Sequence, residues 1–280
     1  MPYAIGAYLI WGFLPLYLRL LERVPSVQIV LHRMLWSAVF MAIVIGFSRR
    51  GAAVAELRKA SKHAATLLLT GFLIGSNWFV YVYAVNHGHV LETSFGYFLC
   101  PLLIVFLGRV VLKERWDSWQ KVSISLASAG VLVLFWKAEQ LPIYALYLAI
   151  TFGLYALIRK RLVLAPLTAS TWEMFAMALV AAVALATLGI QGELFPVSQS
   201  EFLLLMGAGV VTALPLWWFT EAGSRLPLKT LGILQYLAPC FQFLCATVAF
   251  KEHFGTAEAF GFGFIWLAIA VYILRLLKRR

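Results

Sequence analysis

Charged residues are scarce in this sequence, and that scarcity excludes a water-soluble fold. Asp, Glu, Lys and Arg make up 12% of the 280 residues, whereas a soluble domain carries about 25%. Hydrophobic residues make up 62%, and the mean hydropathy is +0.88. A chain with so little polar surface has to face lipid, so the sequence predicts an integral membrane protein.

Cysteine and catalytic motifs are also scarce. The three cysteines, Cys100, Cys240 and Cys245, lie inside apolar runs, so we expect small buried side chains and no disulfide framework. The sequence contains no serine-histidine-acid arrangement, no phosphate-binding glycine loop and no metal-ligand spacing. We therefore expect neither an enzyme nor a metal or cofactor site.

Long apolar runs are abundant, and ten of them match the length of a transmembrane helix, which takes roughly 20 residues to cross the hydrocarbon layer. They lie near residues 3–21, 28–47, 65–85, 91–110, 119–136, 142–158, 169–189, 202–221, 229–250 and 258–275. The first lacks a small-residue cleavage site, so we expect a retained span rather than a signal peptide. The basic segment from Ser48 to Lys62 is expected to lie along the membrane surface.

The basic residues predict the orientation of these spans. The formal net charge of +11 does not indicate nucleic-acid binding, because the Lys and Arg residues gather in short loops between spans. With the N-terminus inside, eighteen of the 23 Lys and Arg residues fall on the cytoplasmic side. This bias predicts that both termini are cytoplasmic.

The two halves of the chain resemble each other at offsets of 138 to 141 residues. The aligned pairs include Gly71 with Gly209, Pro101 with Pro239, Lys113-Glu114 with Lys251-Glu252, Gly12 with Gly153 and Pro25 with Pro166. Each half contains five spans. Because five is odd, the second half starts on the opposite side of the membrane and is inverted relative to the first. The sequence therefore predicts an all-α membrane protein with ten transmembrane helices as two inverted five-helix repeats, 1–137 and 138–280. Inverted repeats are the architecture of many secondary transporters.

Polar side chains within the spans are the candidates for function, because a polar group in hydrocarbon needs a partner or a wet cavity. Asn77 and its neighbours share an arc of the third span, and Tyr97 lies one turn before Pro101, where a kink is expected. We expect an aromatic-walled central cavity, although interfacial belts also hold such residues. The candidate substrate-binding residues are Trp11, Asn77, Trp78, Tyr81, Tyr97, Trp218, Gln235 and Tyr236.

Charged residues within spans are candidates for gating or coupling. Arg33 lies near the outer end of the second span, where it either snorkels to the headgroups or pairs with Glu92 as a gate or an anion contact. An Arg33–Glu92 pair would act as a latch, whereas an unpaired Glu92 could carry a coupling proton.

Other acids have local explanations. Glu173 follows Ser170 at the spacing of a capping box, and Glu201 follows Ser198 in the same way. Glu221 lies four residues before its expected partner Arg225.

The tract from Gly71 to Pro101 resembles the drug/metabolite transporter superfamily with its EamA domains, and the resemblance runs nearly end to end. Further segments that carry it are Ala7–Gly12, His32-Arg33, Leu91–Ser94, Gly96–Phe98, Thr230–Gly232 and Gln235-Tyr236. The resemblance implies a plasma-membrane permease, in the inner membrane of a bacterium.

These observations together predict a secondary transporter, an exporter or exchanger, for a small amphipathic or aromatic organic solute. Its partners are expected to be that solute and the lipid bilayer, with no nucleic acid, and the protein is expected to be a monomer or homodimer. The competing interpretation is a membrane scaffold or sensor that moves nothing, but a passive scaffold has no need for the intramembrane residues Asn77 and Arg33 or for the paired prolines.

Overall fold

Apolar segments form helices in this protein because a helix satisfies its own backbone hydrogen bonds, which lipid cannot do. The computed structural model describes residues 1–48, 53–86, 90–136, 143–249 and 255–278, and all regular secondary structure within them is helical. The elements are α1 (Pro2–Arg19), α2 (Ser26–Ser48), α3 (Ala53–Ser61), α4 (Ala64–Asn86), α5 (Val90–Val110), α6 (Ser118–Trp136), α7 (Ile143–Arg161), α8 (Pro166–Gln191), α9 (Gln199–Arg225), α10 (Leu228–Gln235), α11 (Leu237–Leu244), a π-helical segment (Cys245–Ala249) and α12 (Thr256–Lys278).

Among the described residues, five helical segments are long and apolar enough to cross a membrane. They are Ser26–Phe47, Ala64–Ala84, Ile143–Arg161, Pro166–Gln191 and Gln199–Arg225. Shorter apolar stretches, Gly96–Val110 and Ala259–Arg275, lie in α5 and α12. The all-helical membrane class expected from composition is therefore confirmed.

The ninth predicted span, 229–250, is interrupted instead of continuous. Helix α10 ends at Gln235, Tyr236 separates it from α11, and the chain then passes into the π-helical segment. Pro239 accounts for the break, because a proline ring clashes with the carbonyl four residues earlier, here that of Gln235. Pro101, its aligned counterpart, lies inside the unbroken helix α5.

The predicted capping box is confirmed, whereas the position of the basic segment along the membrane surface stays a prediction. Ser198 and Glu201 form the predicted capping box: the Glu201 amide donates to Ser198 Oγ at 3.3 Å, and the Ser198 amide donates to Glu201 Oε2 at 2.7 Å. The basic segment 48–62 contains the short helix α3, while residues 49–52 lie outside the described ranges.

Helices from the two parts of the chain interleave. Helix α2 packs against α8 and α9, α5 packs against α7 and α10, and α1 packs against α9 and α11. Helices α6 and α12 pair with each other at the side of this group. The centre of the bundle is therefore surrounded by α1, α2, α4, α5, α7, α9, α10 and α11.

The crossing of α2 and α9 is so close that it requires glycine. A Cβ added to Gly209 would lie 2.4 Å from the carbonyl carbon of Trp36 and 2.6 Å from the backbone nitrogen of Ser37. The Ser37 hydroxyl also donates to the Gly209 carbonyl at 3.1 Å. Backbone atoms cannot move aside as a side chain can, so this position admits no larger residue without separating the helices.

We expect Gly209→Ala to destabilise the protein by about 1–3 kcal/mol, as overpacking does in a close-packed interior. Gly46→Ala is the matched control, because no described atom lies within 4 Å of a Cβ built there. Alanine favours a helix over glycine, so the control should melt at the same temperature or higher. Thermal unfolding of both variants in detergent tests this, and an unchanged midpoint for Gly209→Ala would contradict the close crossing.

Candidate functional site

A cavity of about 60 Å³ lies at the centre of the bundle. It has room for a few water molecules, and it is smaller than the roughly 300–1,000 Å³ of sites that hold drug-sized ligands. Its lining comes from α1 (Trp11, Leu14, Pro15), α2 (Arg33), α4 (Asn77, Trp78, Tyr81), α5 (Gly96, Tyr97, Cys100), α7 (Leu148, Phe152) and α10–α11 (Gln235, Ala238, Pro239, Gln242). Residues far apart in the sequence thus share one space.

Most of the functional residues predicted from sequence meet at this cavity. They are Trp11, Arg33, Asn77, Trp78, Tyr81, Tyr97 and Gln235. The rings of Tyr81 and Tyr97 lie edge to face with centroids 5.4 Å apart. The Gln235 Oε1 atom is buried and has no hydrogen-bond partner among the described residues. The lining therefore offers aromatic faces together with a few polar groups.

Asn77 connects two helices at the cavity wall. Its Nδ2 atom donates to the Leu148 carbonyl and to Thr151 Oγ1, each at 2.9 Å. Both bonds cross from α4 to α7, so the Asn77 side chain is not tied to its own helix. The amide of Asn77 consequently fixes the distance between two walls of the cavity.

Arg33 is buried, with 4% of its surface exposed, so the interpretation that it snorkels to the headgroups is wrong. Its Nε donates to Thr212 Oγ1 at 2.9 Å, and the Thr212 hydroxyl donates its own proton to the Ala208 carbonyl at 2.6 Å. The guanidinium carbon lies 5.4 Å from the centroid of the Trp78 ring. A hydroxyl and a ring face inside the bundle thus replace the expected lipid headgroups.

Two predicted substrate-binding residues lie away from the cavity. Tyr236 is fully buried behind it, and its hydroxyl donates to the Phe98 carbonyl at 3.2 Å. Trp218 contacts Gly6 and lies with its ring centroid 6.4 Å from that of Tyr3. Both rings belong to spans that are apolar on every side, so the sequence does not indicate which face points inward.

Glu92 lies in the first turn of α5, four residues before the cavity residue Gly96. Its side chain is outside the described residues, and a pair between Arg33 and Glu92 therefore stays a prediction.

The cap predicted for Glu173 is wrong. Helix α8 begins at Pro166, earlier than Ser170, because proline is well suited to the first helical position. Glu173 is consequently inside the helix and fully buried. Pro166 is the sequence signal that indicates the earlier helix start. That start places Glu173 inside the helix as an intramembrane acid.

Glu173 is surrounded by donors from two other helices. Thr70 Oγ1 on α4 lies 2.5 Å from Oε1, and the Tyr155 hydroxyl on α7 lies 3.3 Å from Oε2. Arg159 Nε lies 3.6 Å from Oε1, and Arg159 Nη2 donates to the Pro166 carbonyl and to Ser170 Oγ. We call Thr70, Tyr155, Arg159 and Glu173 the buried acid cluster.

An aromatic cluster separates the cavity from the end of the bundle at which α7 and α9 finish with Arg161 and Arg225, here called the basic end. The Phe219 ring lies 5.7 Å from Trp11, 5.1 Å from Phe152 and 6.3 Å from Tyr8, between centroids. Phe219 is six residues before Arg225, or about 9 Å along the helix. The Tyr8 hydroxyl donates to the Leu231 carbonyl at 2.9 Å. The cavity is therefore closed towards the basic end.

This arrangement is suited to binding. Aromatic faces stack on planar groups, amides and hydroxyls form hydrogen bonds, and a guanidinium attracts negative charge. Within the described ranges, no group of three or more His, Cys, Asp and Glu side chains could hold a metal ion.

Comparison with known proteins gives the family context of this cavity. A model of the EamA-like transporter family matches residues 1–136 and 141–274. The chain is similar to an uncharacterized transporter of Pseudomonas aeruginosa, with 44% identity over 96% of this chain and 92% of the relative. It is 40% identical to protein RarD of Salmonella typhi over 97% of this chain and 93% of the relative.

A second Pseudomonas aeruginosa protein, called chloramphenicol-sensitive protein RarD, is 31% identical over 95% of this chain and 90% of its own length. In fold, the chain is similar to a solved protein structure with a TM-score of 0.74 and 21% identity, which covers 99% of this chain and 96% of the other.

We expect Glu173→Ala to destabilise the protein by about 3–5 kcal/mol, because it leaves Arg159 as an unpaired buried cation. Adding Arg159→Met to Glu173→Ala should recover part of this loss, since the double variant buries no charge. Glu221→Ala is the control, because its partner Arg225 is exposed and such pairs contribute about 0–1 kcal/mol. Thermal unfolding in detergent compares these three variants with the natural protein, and equal effects of Glu173→Ala and Glu221→Ala would contradict the cluster.

Proposed function

This chain belongs to the EamA-like transporter family as a RarD-type permease of the bacterial inner membrane, and from that premise we propose that it moves a small amphipathic or aromatic organic solute by alternating access. The direction we propose is export or exchange. The observation that carries the proposal is the central cavity, whose walls come from both parts of the chain. A solute bound between two halves becomes accessible to either side when the halves rock against each other.

We propose ten spans in two inverted halves, 1–137 and 138–280. The spans are α1, α2, α4 to α9, the interrupted α10–α11 segment and α12. The two separate matches to the family model support the duplication. Helix packing supports it too: α1 contacts α9 as α4 contacts α7, and α2 contacts α9 as α4 contacts α8. Replacing each helix by its counterpart five spans away turns the first contact of each comparison into the second. An inverted repeat requires this correspondence.

Alternating access requires one state that is closed towards the inside and one that is closed towards the outside. Closure towards the basic end corresponds to one of these two states. With both termini cytoplasmic, the basic end is the inner end, and the aromatic cluster and the buried acid cluster form the inner gate. Opening inward then requires Phe219 to leave Trp11 and Phe152, and Thr70 to leave Glu173. The Thr70–Glu173 contact joins the two halves, so rocking has to break it.

Arg33 and Glu92 are our candidates for the outer gate. Arg33 lines the cavity, and Glu92 lies about one helical turn along α5 from the lining residue Gly96. A Glu92 carboxylate paired with Arg33 stays ionised and acts as a latch, whereas an unpaired one carries a proton.

A scaffold or sensor that moves nothing is the alternative, and the two functions differ in one measurable respect. Transport requires a substrate to bind in the cavity and then to leave it on the other side of the membrane. A scaffold requires neither, so variants of the cavity lining would leave it unaffected.

Topology provides a direct test of the inverted halves. A reporter fused after Arg280 should be active only if it functions in the cytoplasm, and segment 49–62 should resist protease added from outside intact cells. A reporter that is active only in the periplasm would contradict the cytoplasmic C-terminus, since ten spans return the chain to its starting side.

We expect Trp78→Ala to lower solute counterflow in proteoliposomes at least tenfold, because it removes an aromatic wall of the cavity. The solute is to be chosen from a thermal-shift screen of amino acids, aromatic metabolites and amphenicols, with chloramphenicol included because of the relative's name. Phe79→Ala is the matched control, since Phe79 is the next residue on α4 but is exposed on the bundle surface. Equal counterflow in both variants would favour the scaffold.

A further inference from the structure

Three arginine side chains are buried within the described part of the chain, and only one of them lacks an acidic partner there. Arg275 pairs with Asp117, and Arg159 pairs with Glu173 at 3.6 Å. Arg33 has no carboxylate partner among the described residues, although it is as deeply buried as Arg275. A buried charge with no counter-charge among the described residues is costly, so a structural role alone does not account for Arg33.

The donors of Arg33 are also incompletely used. A guanidinium carries five N–H donors, and the Nε–H bonds to Thr212. The four N–H groups on Nη1 and Nη2 have no hydrogen bond to a described residue. Thr212 and the Trp78 ring fix the plane of the guanidinium, and the residue borders the cavity. The Arg33 side chain is therefore held in place while its two terminal nitrogens, Nη1 and Nη2, donate to no described residue.

We propose that Arg33 is the recognition site for a carboxylate on the transported solute, and that the cavity selects aromatic monocarboxylates over neutral and cationic analogues. This inference rests on the proposed transport function and specifies its substrate class. A carboxylate accepts two parallel N–H bonds from one guanidinium. Among the described lining residues Arg33 is the one charged group, so a bound cation would find no counter-charge.

The remaining lining offers groups that suit the rest of such a solute, although the cavity of about 60 Å³ has to widen before the solute can enter. Faces for one planar ring come from Trp11, Trp78, Tyr97 and Phe152, and Gln235 Oε1 supplies an acceptor that has no partner among the described residues. A phosphate monoester would bring a second negative charge for which the described lining holds no further cation. One guanidinium in an aromatic cavity therefore favours a carboxylate over a phosphate.

Binding to the purified full-length protein in detergent tests this proposal without requiring transport. Trp11 and Trp78 border the cavity, so tryptophan fluorescence should change when a ligand enters. The probes share one ring and differ in one group: phenylacetate, phenylacetamide, phenethylamine and phenyl phosphate. We expect saturable quenching by phenylacetate, with the other three at least tenfold weaker. No saturation by phenylacetate up to about 10 mM would overturn the proposal.

Arg33→Gln should weaken phenylacetate binding at least tenfold and leave phenylacetamide binding unchanged. Arg33→Lys should bind phenylacetate with an affinity between those of the natural protein and Arg33→Gln, because an ammonium keeps the charge but cannot form the bidentate pair. Arg225→Gln, at an exposed arginine of the basic end, is the control and should bind like the natural protein. A phenylacetate preference that survives in Arg33→Gln would overturn the proposal.

Two further variants keep the test decisive if Arg33→Gln does not fold. Thr212→Val keeps the charge but removes the Nε acceptor, and it should weaken phenylacetate binding severalfold. Glu92→Gln should bind phenylacetate as well as or better than the natural protein, because a Glu92 carboxylate competes for the same guanidinium. Unchanged phenylacetate binding in Thr212→Val, or its loss in Glu92→Gln, would contradict the assignment.

Proteoliposomes separate this inference from the transport proposal. If phenylacetate binds with the expected preference but shows no counterflow, Arg33 recognises a carboxylate and transport of this class is wrong. If phenylacetamide or phenethylamine binds and exchanges as well as phenylacetate, the protein is a transporter and the carboxylate assignment is wrong.

Discussion

A charge inside a membrane protein has to be compensated by the protein itself, and the centre of this bundle is organised around two such charges. Arg33 on α2 and Glu173 on α8 are 140 residues apart, the same distance that separates the first residues of their helices. Each reaches across to a threonine of the other half, Arg33 to Thr212 and Glu173 to Thr70. Equivalent positions in the proposed repeat therefore carry opposite charges.

The two charges differ in how fully they are satisfied. Glu173 accepts hydrogen bonds from a threonine and a tyrosine hydroxyl and lies next to a guanidinium, which suits a tight contact between the two halves in the closed state. Arg33 uses its Nε–H on Thr212, and the residue borders the cavity. Equivalent positions of the proposed repeat thus serve contact between the halves in one case and, in our proposal, recognition of the solute in the other.

Much of this organisation could be predicted from the sequence. Hydropathy located the apolar segments, because span length is set by bilayer thickness. The arc of Asn77, Trp78 and Tyr81 was found from helical spacing together with the cost of polar groups in lipid. Positions that depend on contacts between distant segments could not be found in this way. Tyr236 and Gln235 are adjacent in sequence, yet the first packs behind the cavity and the second lines it.

Glu173 shows a different limit. Its spacing from Ser170 matches a capping box, and the local pattern alone favours that interpretation. The helix starts earlier because of Pro166, and the donors that surround Glu173 come from α4 and α7, which local spacing does not reveal. The partners of Arg33 could not be found from local spacing either, since Thr212 and Trp78 lie on other helices.

The break beside Pro239 has a consequence for how the cycle could be followed. Helix α5 runs unbroken through Pro101, while the segment through Pro239 is interrupted at Tyr236. If the halves exchange conformations, the discontinuity has to pass from Tyr236 to its counterpart Phe98, whose carbonyl accepts the Tyr236 hydroxyl. The rates of amide hydrogen exchange at these two positions would then change in opposite directions when the cavity closes to one side of the membrane and opens to the other. A pair of backbone amides would report the direction in which the carrier is open.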